Sequence, residues 1–182
     1  SGKMYNEFKY KLQIDFAGAK ISFKDVYIEA YKMRMGHFKQ PFSLEALTSS
    51  KYMTFIERAL PNALLLERNA GSMYYNSFLD DKLSFQIGSF YEVQKEDLST
   101  MVLRPGDAYN IIGRVTFLPM NNDNLLHVGA SFAYRNRLTH NDDDYLSQPF
   151  SISVRPENHL GTKLLQFDYP INTMGLVGAE AA

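Results

Sequence analysis

Apolar and polar residues alternate at every second position through most of this chain, a period that fits β-strands with one apolar and one polar face and does not fit helices. Phe8, Tyr10, Leu12, Ile14 and Phe16 alternate with Glu7, Lys9, Lys11, Gln13 and Asp15. Tyr5 to Ala17 therefore reads as one strand, longer than most strands of soluble domains. Gly18-Ala19-Lys20 makes a tight turn, and Ile21 to Phe38 reads as a second strand. Its apolar phase changes near Tyr31, which predicts a bulge and puts Lys32 and Arg34 on the polar face with Asp25 and Glu29.

The pattern continues further along. Ser72 to Leu79 reads as a strand, Asp80-Asp81-Lys82 as a hairpin turn, and Leu83, Phe85, Ile87, Tyr91 and Val93 as one face of the next strand. Tyr109, Ile111, Val115 and Phe117 oppose Asn110, Arg114 and Thr116. Beyond a turn at Asn121 to Asn124, Leu126, Val128, Ala130, Phe132 and Tyr134 oppose His127, Gly129, Ser131 and Arg135. Each hairpin should pair its flanking strands. In a barrel, Phe85, Ile87, Val115, Phe132 and Tyr134 should point to lipid, and Arg114, Ser131 and Arg135 to the lumen, on opposite faces of the sheet. Arg137 to Asn172 reads as a long loop holding a short strand at Phe150 to Arg155, and a last strand begins at Thr173. The reading gives about seven strands. Short turns at Gly18, Asp80 and Asn121 alternate with long connections at Lys39, Gln94 and Arg137, the arrangement of a transmembrane barrel. An open sheet of this kind has two bare edges whose unpaired backbone groups are costly in lipid, so the strands that would close a barrel are expected to come from elsewhere.

Composition narrows the function classes. The chain has 182 residues, no Cys and a formal charge of −1, so thiolate metal sites and disulfides are excluded and nucleic acid is not the expected partner. No apolar run reaches the length of a membrane-spanning helix, whereas barrel strands need only about 9–11 residues each and keep mean hydropathy low. The mean hydropathy of −0.28 fits both a soluble β protein and a porin. His37, His127, His140 and His159 lack metal-ligand spacing, so no metal or cofactor is expected. Asp142 to Asp144 read as solvated rather than as a Ca²⁺ loop. No nucleophile, phosphate-loop or dinucleotide motif points to an enzyme.

The segment from Lys39 to Ala70 stands apart from the alternation. Pro41 ends a strand, Ser43 with Glu45 resembles a helix start, and Phe55, Ile56 and Ala59 fall at helical spacing with Lys51 and Arg58 off that face. One reading is a helical cap with its charges in water; the other is a loop folded into a pore, with Lys51 and Arg58 facing passing anions. The run GHFKQPFSLEALTSSKYMTFIERALPNAL, with LLHVGASFAYRN and SVRPENHL further on, resembles the phosphate-selective porin O and P family of Gram-negative outer membranes. The resemblance implies an all-β, antiparallel transmembrane barrel of about sixteen strands, of which residues 1–182 supply about half, with residues 39–70 as a long inward-folding loop and pore constriction. It also implies an outer-membrane homotrimer, embedded in lipid, that passes small anions such as phosphate by diffusion. Lys51 and Arg58 match basic positions of the family motif, and Lys39, Arg68 and Arg155 fall at basic positions of related strings. Where relatives carry a Pro-Gly turn, this chain has Leu65-Leu66-Glu67 before Arg68. Two other readings remain open, a soluble β-barrel or sandwich binding protein and a surface capture or adhesion protein without a channel.

Overall fold

The computed structural model describes residues 1–5, 7–16, 22–53, 68–91, 109–121, 125–136, 150–154, 165–169 and 173–182. The strands are β1 (Gly2–Met4), β2 (Phe8–Asp15), β3 (Ser22–Ala30), β4 (Met33–Lys39), β5 (Arg68–Phe78), β6 (Leu83–Tyr91), β7 (Tyr109–Asn121), β8 (Leu125–Asn136), β9 (Phe150–Val154), β10 (Leu165–Tyr169) and β11 (Thr173–Ala181). Nine of them form one sheet in the order β1-β2-β3-β4-β5-β6-β7-β8-β11, and β9 pairs with β10 apart from it. All pairings are antiparallel. A four-residue α-helix, α1 (Leu44–Leu47), and a 3₁₀ turn, Ser50–Tyr52, follow β4. The fold is all-β and antiparallel, as expected, and its sheet is not closed on itself among the described residues.

Both expected hairpin partnerships hold, β5 with β6 and β7 with β8. Four expectations need correcting. Tyr5 sits in a turn at φ 49°, so the first run is shorter than read, β2 alone over Phe8–Asp15, and a separate strand, β1, precedes it. Ile21 to Phe38 is a hairpin rather than one bulged strand, because Ala30 pairs with Met33 across Tyr31 and Lys32. The extra strand β1, the split of the second run and the β9–β10 pair raise the strand number above the seven read from periodicity. The split at Tyr31 also moves the Gly18 connection to the same rim as the long ones, so it no longer alternates with them. The turn itself was hidden because both its residues have positive φ, 50° and 63°, a mirror-image turn that usually announces itself with Asn or Gly. A left-handed conformation costs a residue with Cβ roughly 1–2 kcal/mol. Lys32→Asn, which tolerates that conformation, is expected to stabilise the hairpin by about 0.5–1 kcal/mol, read as a higher urea midpoint with an unchanged slope.

The alternation sorts the side chains into two faces. Directly paired residues share a face, and the register carries one set of positions across the sheet: Glu29 with Arg34, Gln86 with Arg114, Arg114 with Ser131 and Ser131 with Gly178. Arg114, Ser131 and Arg135 are buried there. On the other face Ile28, Met35, Ile87, Val115 and Phe132 are 48–58% exposed, and Tyr134 is 42% exposed. The sets expected to point apart therefore do. Among the described residues no helix is long and apolar enough to cross a membrane, which says nothing about crossing with strands.

The sheet is strongly rolled, with the buried face concave. β4 and β11 lie five strands apart in the order, and the register sets Glu180 well below Lys39 along the strand direction. If the sheet were flat, these two residues would be on the order of 35–40 Å apart at the usual strand spacing and rise. Yet the Leu44 N–H donates to the Glu180 carboxylate at 2.6 Å, and the chain from Lys39 to Leu44 can reach at most about 18 Å even when extended. It is not extended, since the Phe42 N–H bonds the Gln40 carbonyl at 2.8 Å. Only a curled sheet with tilted strands brings the two together.

Candidate functional site

The concave face has an apolar centre. Phe38, Phe90 and Ile112 interrupt the polar phase of β4, β6 and β7, and each is at most 1% exposed. Small residues make room for the largest ring: a Cβ on Gly71 or Gly88 would come within 2.7 Å of Phe90 ring atoms. The Phe38 and Phe90 rings meet edge to face, with centroids 5.3 Å apart. Phe42, from the segment after β4, completes this cluster with Met73 and Ala133. A Cβ on Gly178 of β11 would lie 3.3 Å from the Phe42 ring, so the segment's first aromatic is seated on the far strands. Gln40 and Phe42 are 1% and 4% exposed.

Charged groups surround that centre in three paired sets. Near the first strands, Lys11 Nζ and Arg68 Nε hold the two oxygens of Asp25 at 2.5 and 2.7 Å. Beside them Arg34 donates through Nε and Nη2 to Glu29 at 2.9 and 2.6 Å, and Lys9 bonds the other Glu29 oxygen at 3.3 Å. The Arg34 guanidinium also lies over the Tyr27 ring, 4.4 Å from its centroid. At the opposite end of the sheet order, Glu180 Oε1 accepts from Arg114 Nε at 3.1 Å and from Arg114 Nη2, and it lies 2.9 Å from His127 Nε2. Glu180 Oε2 accepts the Leu44 N–H. Among the described strand residues basic side chains outnumber acids on this face, with Lys3, Lys9, Lys11, Arg34, Arg114 and Arg135 against Asp15, Asp25, Glu29 and Glu180.

The residues nominated from sequence fall in different places. Lys51 is exposed on the 3₁₀ turn, whose first residue follows Ser49; the Ser49 hydroxyl accepts from the Lys51 N–H at 3.4 Å. Lys39 and Arg68 pair across β4 and β5, but their side chains part: Lys39 Nζ donates to the Ala46 carbonyl at 2.5 Å and Arg68 goes to Asp25. Arg58 and Arg155 lie outside the described residues, as do Phe55, Ile56, Ala59 and Asp142 to Asp144. The helix start expected near Ser43 is present, although the Ser43 side chain makes no capping bond. Sequence reasoning missed Glu180, His127, Phe42 and Phe90. The signal available was the apolar residue out of phase, at Phe38, Phe90 and Ile112, which marks where a polar wall has something to cover.

No curated protein and no solved structure matches the chain. The family described as phosphate-selective porin O and P matches it over residues 1–182, a family of channels rather than enzymes, and the two-faced antiparallel sheet has the form its barrel requires. The chain belongs to the phosphate-selective porin O and P family.

Proposed function

We propose that this chain forms part of the wall of an outer-membrane β-barrel through which small anions such as phosphate diffuse passively, and that the segment after Lys39 narrows the path. The observation that carries the proposal is the division of one sheet into a convex apolar face, open to contact with lipid, and a concave face where basic side chains outnumber acids. A water-facing convex surface would not carry that apolar band, which weighs against a soluble binding protein. Family membership supports the channel and its outer-membrane location, and we take the assembly to be a homotrimer set in lipid. Basic groups in a confined path raise local anion concentration, so selectivity needs no chemical step and no cofactor. The residues we assign to the narrowed path are Lys51 and Arg58, with Lys39, Arg68 and Arg155 as further basic positions along it.

The test is the reversal potential of the protein in a planar bilayer under a salt gradient. Wild type should prefer anions. Lys51→Glu or Arg58→Glu should lower or invert that preference, because a charge in a confined, poorly screened space acts strongly. On an open loop the same charge would be screened within about 8–10 Å, and the reversal potential would not move. A protein that inserts and never conducts would favour the capture or adhesion reading.

A further inference from the structure

We infer that Glu180 is a positioning residue, the latch that docks the inward segment onto the far wall. This rests on the reading above that the segment narrows a channel. The carboxylate is a junction of four elements. It belongs to β11, it is bonded by Arg114 of β7 and His127 of β8, and its second oxygen takes a backbone N–H from Leu44. Its side chain lies over a glycine, since a Cβ on Gly129 would come within 2.6 Å of Glu180 Oε1. Two residues earlier on the same strand, Gly178 leaves the seat filled by Phe42. The dock thus has an apolar point, Phe42 on Gly178, and a polar point, Leu44 on Glu180, two residues apart on each partner.

The two oxygens have separate tasks. Oε1 is neutralised by Arg114, which keeps an acid in an anion path from repelling what passes. Oε2 holds the segment through a bond strengthened by the carboxylate's charge. This bond ties Leu44 to a strand 136 residues away, so the height at which the exposed Lys51 is carried depends on it, on the Phe42 seat and on the Lys39–Ala46 bond to β4.

Substitution at Glu180 separates the tasks. Glu180→Ala removes both, and amide exchange in a peptide covering residues 42–48 should become about tenfold faster. Uncharged sugars excluded by wild type should then enter vesicles carrying the variant. Glu180→Gln keeps an acceptor for the Leu44 N–H and leaves Arg114 uncancelled, so exchange should stay near wild type while anion preference rises. Phe42→Ala removes the other point without altering charge and should loosen the segment as Glu180→Ala does. Should Glu180→Ala fail to fold, Glu180→Asp, which withdraws the carboxylate by one methylene, carries the same readout. Unchanged exchange in Glu180→Ala, with Gln and Ala shifting selectivity alike, overturns the latch and leaves Glu180 a charge balancer. Exchange is read without conductance, so a wild-type protein that does not conduct would sink the channel reading and leave this one to be decided separately.

Discussion

Phe132→Arg should destabilise the protein in lipid vesicles by about 2–4 kcal/mol, the cost of an Arg facing hydrocarbon near the midplane. Phe132 is at mid-strand in β8, 48% exposed on the convex face, with its ring over Gly113 of β7: a Cβ there would come within 2.3 Å of the ring. Phe132→Leu keeps an apolar side chain and should lose far less. On a water-facing surface the ordering would differ, because an exposed Arg typically changes stability by no more than about 0.5 kcal/mol. Urea unfolding of wild type and both variants in vesicles measures the difference. Equal stabilities for the Arg and Leu variants would mean that water, not lipid, meets this face.

Gly36→Val should be at least as damaging, with a loss of about 3 kcal/mol or more. Gly36 holds φ 135° in the middle of β4, and a Cβ there would lie 2.3 Å from the Val26 carbonyl oxygen and 2.7 Å from the Tyr27 Cα. Both are backbone atoms of the neighbouring strand, so no rotamer change can relieve the contact. The register of β3 and β4 would have to shift, and a shift by one residue exchanges the two faces. Arg34 would then lose Glu29 and turn toward the apolar side. Gly175 is the control, having ordinary φ and nothing within 4 Å of an added Cβ; Gly175→Ala should be neutral or slightly stabilising, by up to about 1 kcal/mol. A Gly36 variant with wild-type stability would show that the β3–β4 pairing tolerates what its geometry forbids.

Much of this fold was legible because a half-covered strand writes its two faces into alternate residues. The assignments of Ile87, Val115, Phe132 and Tyr134 to one side, and of Arg114, Ser131 and Arg135 to the other, needed only that period. The Tyr31-Lys32 turn was not legible, because neither residue favours the left-handed backbone it adopts; the pairing of β3 with β4 imposes it. Glu180 was hidden for a different reason. In a Gly- and Ala-rich terminal run it has no local motif, and its partners Leu44, Arg114 and His127 are distant in sequence, so its part appears only once the sheet is rolled. Lys39 and Arg68 show the opposite limit: basic residues opposite each other in a ladder need not act together, since one turns to the Ala46 carbonyl and the other to Asp25.

The hairpin at Tyr31 and Lys32 also bears on how such a chain enters a bilayer. It joins the Tyr5, Asp80 and Asn121 connections at one rim, where the links between β1 and β2, β3 and β4, β5 and β6, and β7 and β8 are no more than four residues each. The other rim joins β2 to β3 through residues 16–21, β4 to β5 through 40–67, β6 to β7 through 92–108, and β8 to β11 through 137–172, which include β9 and β10. A polar chain must shed its water to pass through hydrocarbon, and the compact rim has far less to shed. That rim should lead. Under the proposed channel function, molecules added to one side of a bilayer would then all come to rest pointing the same way, and their currents would share a single asymmetry with the sign of the voltage.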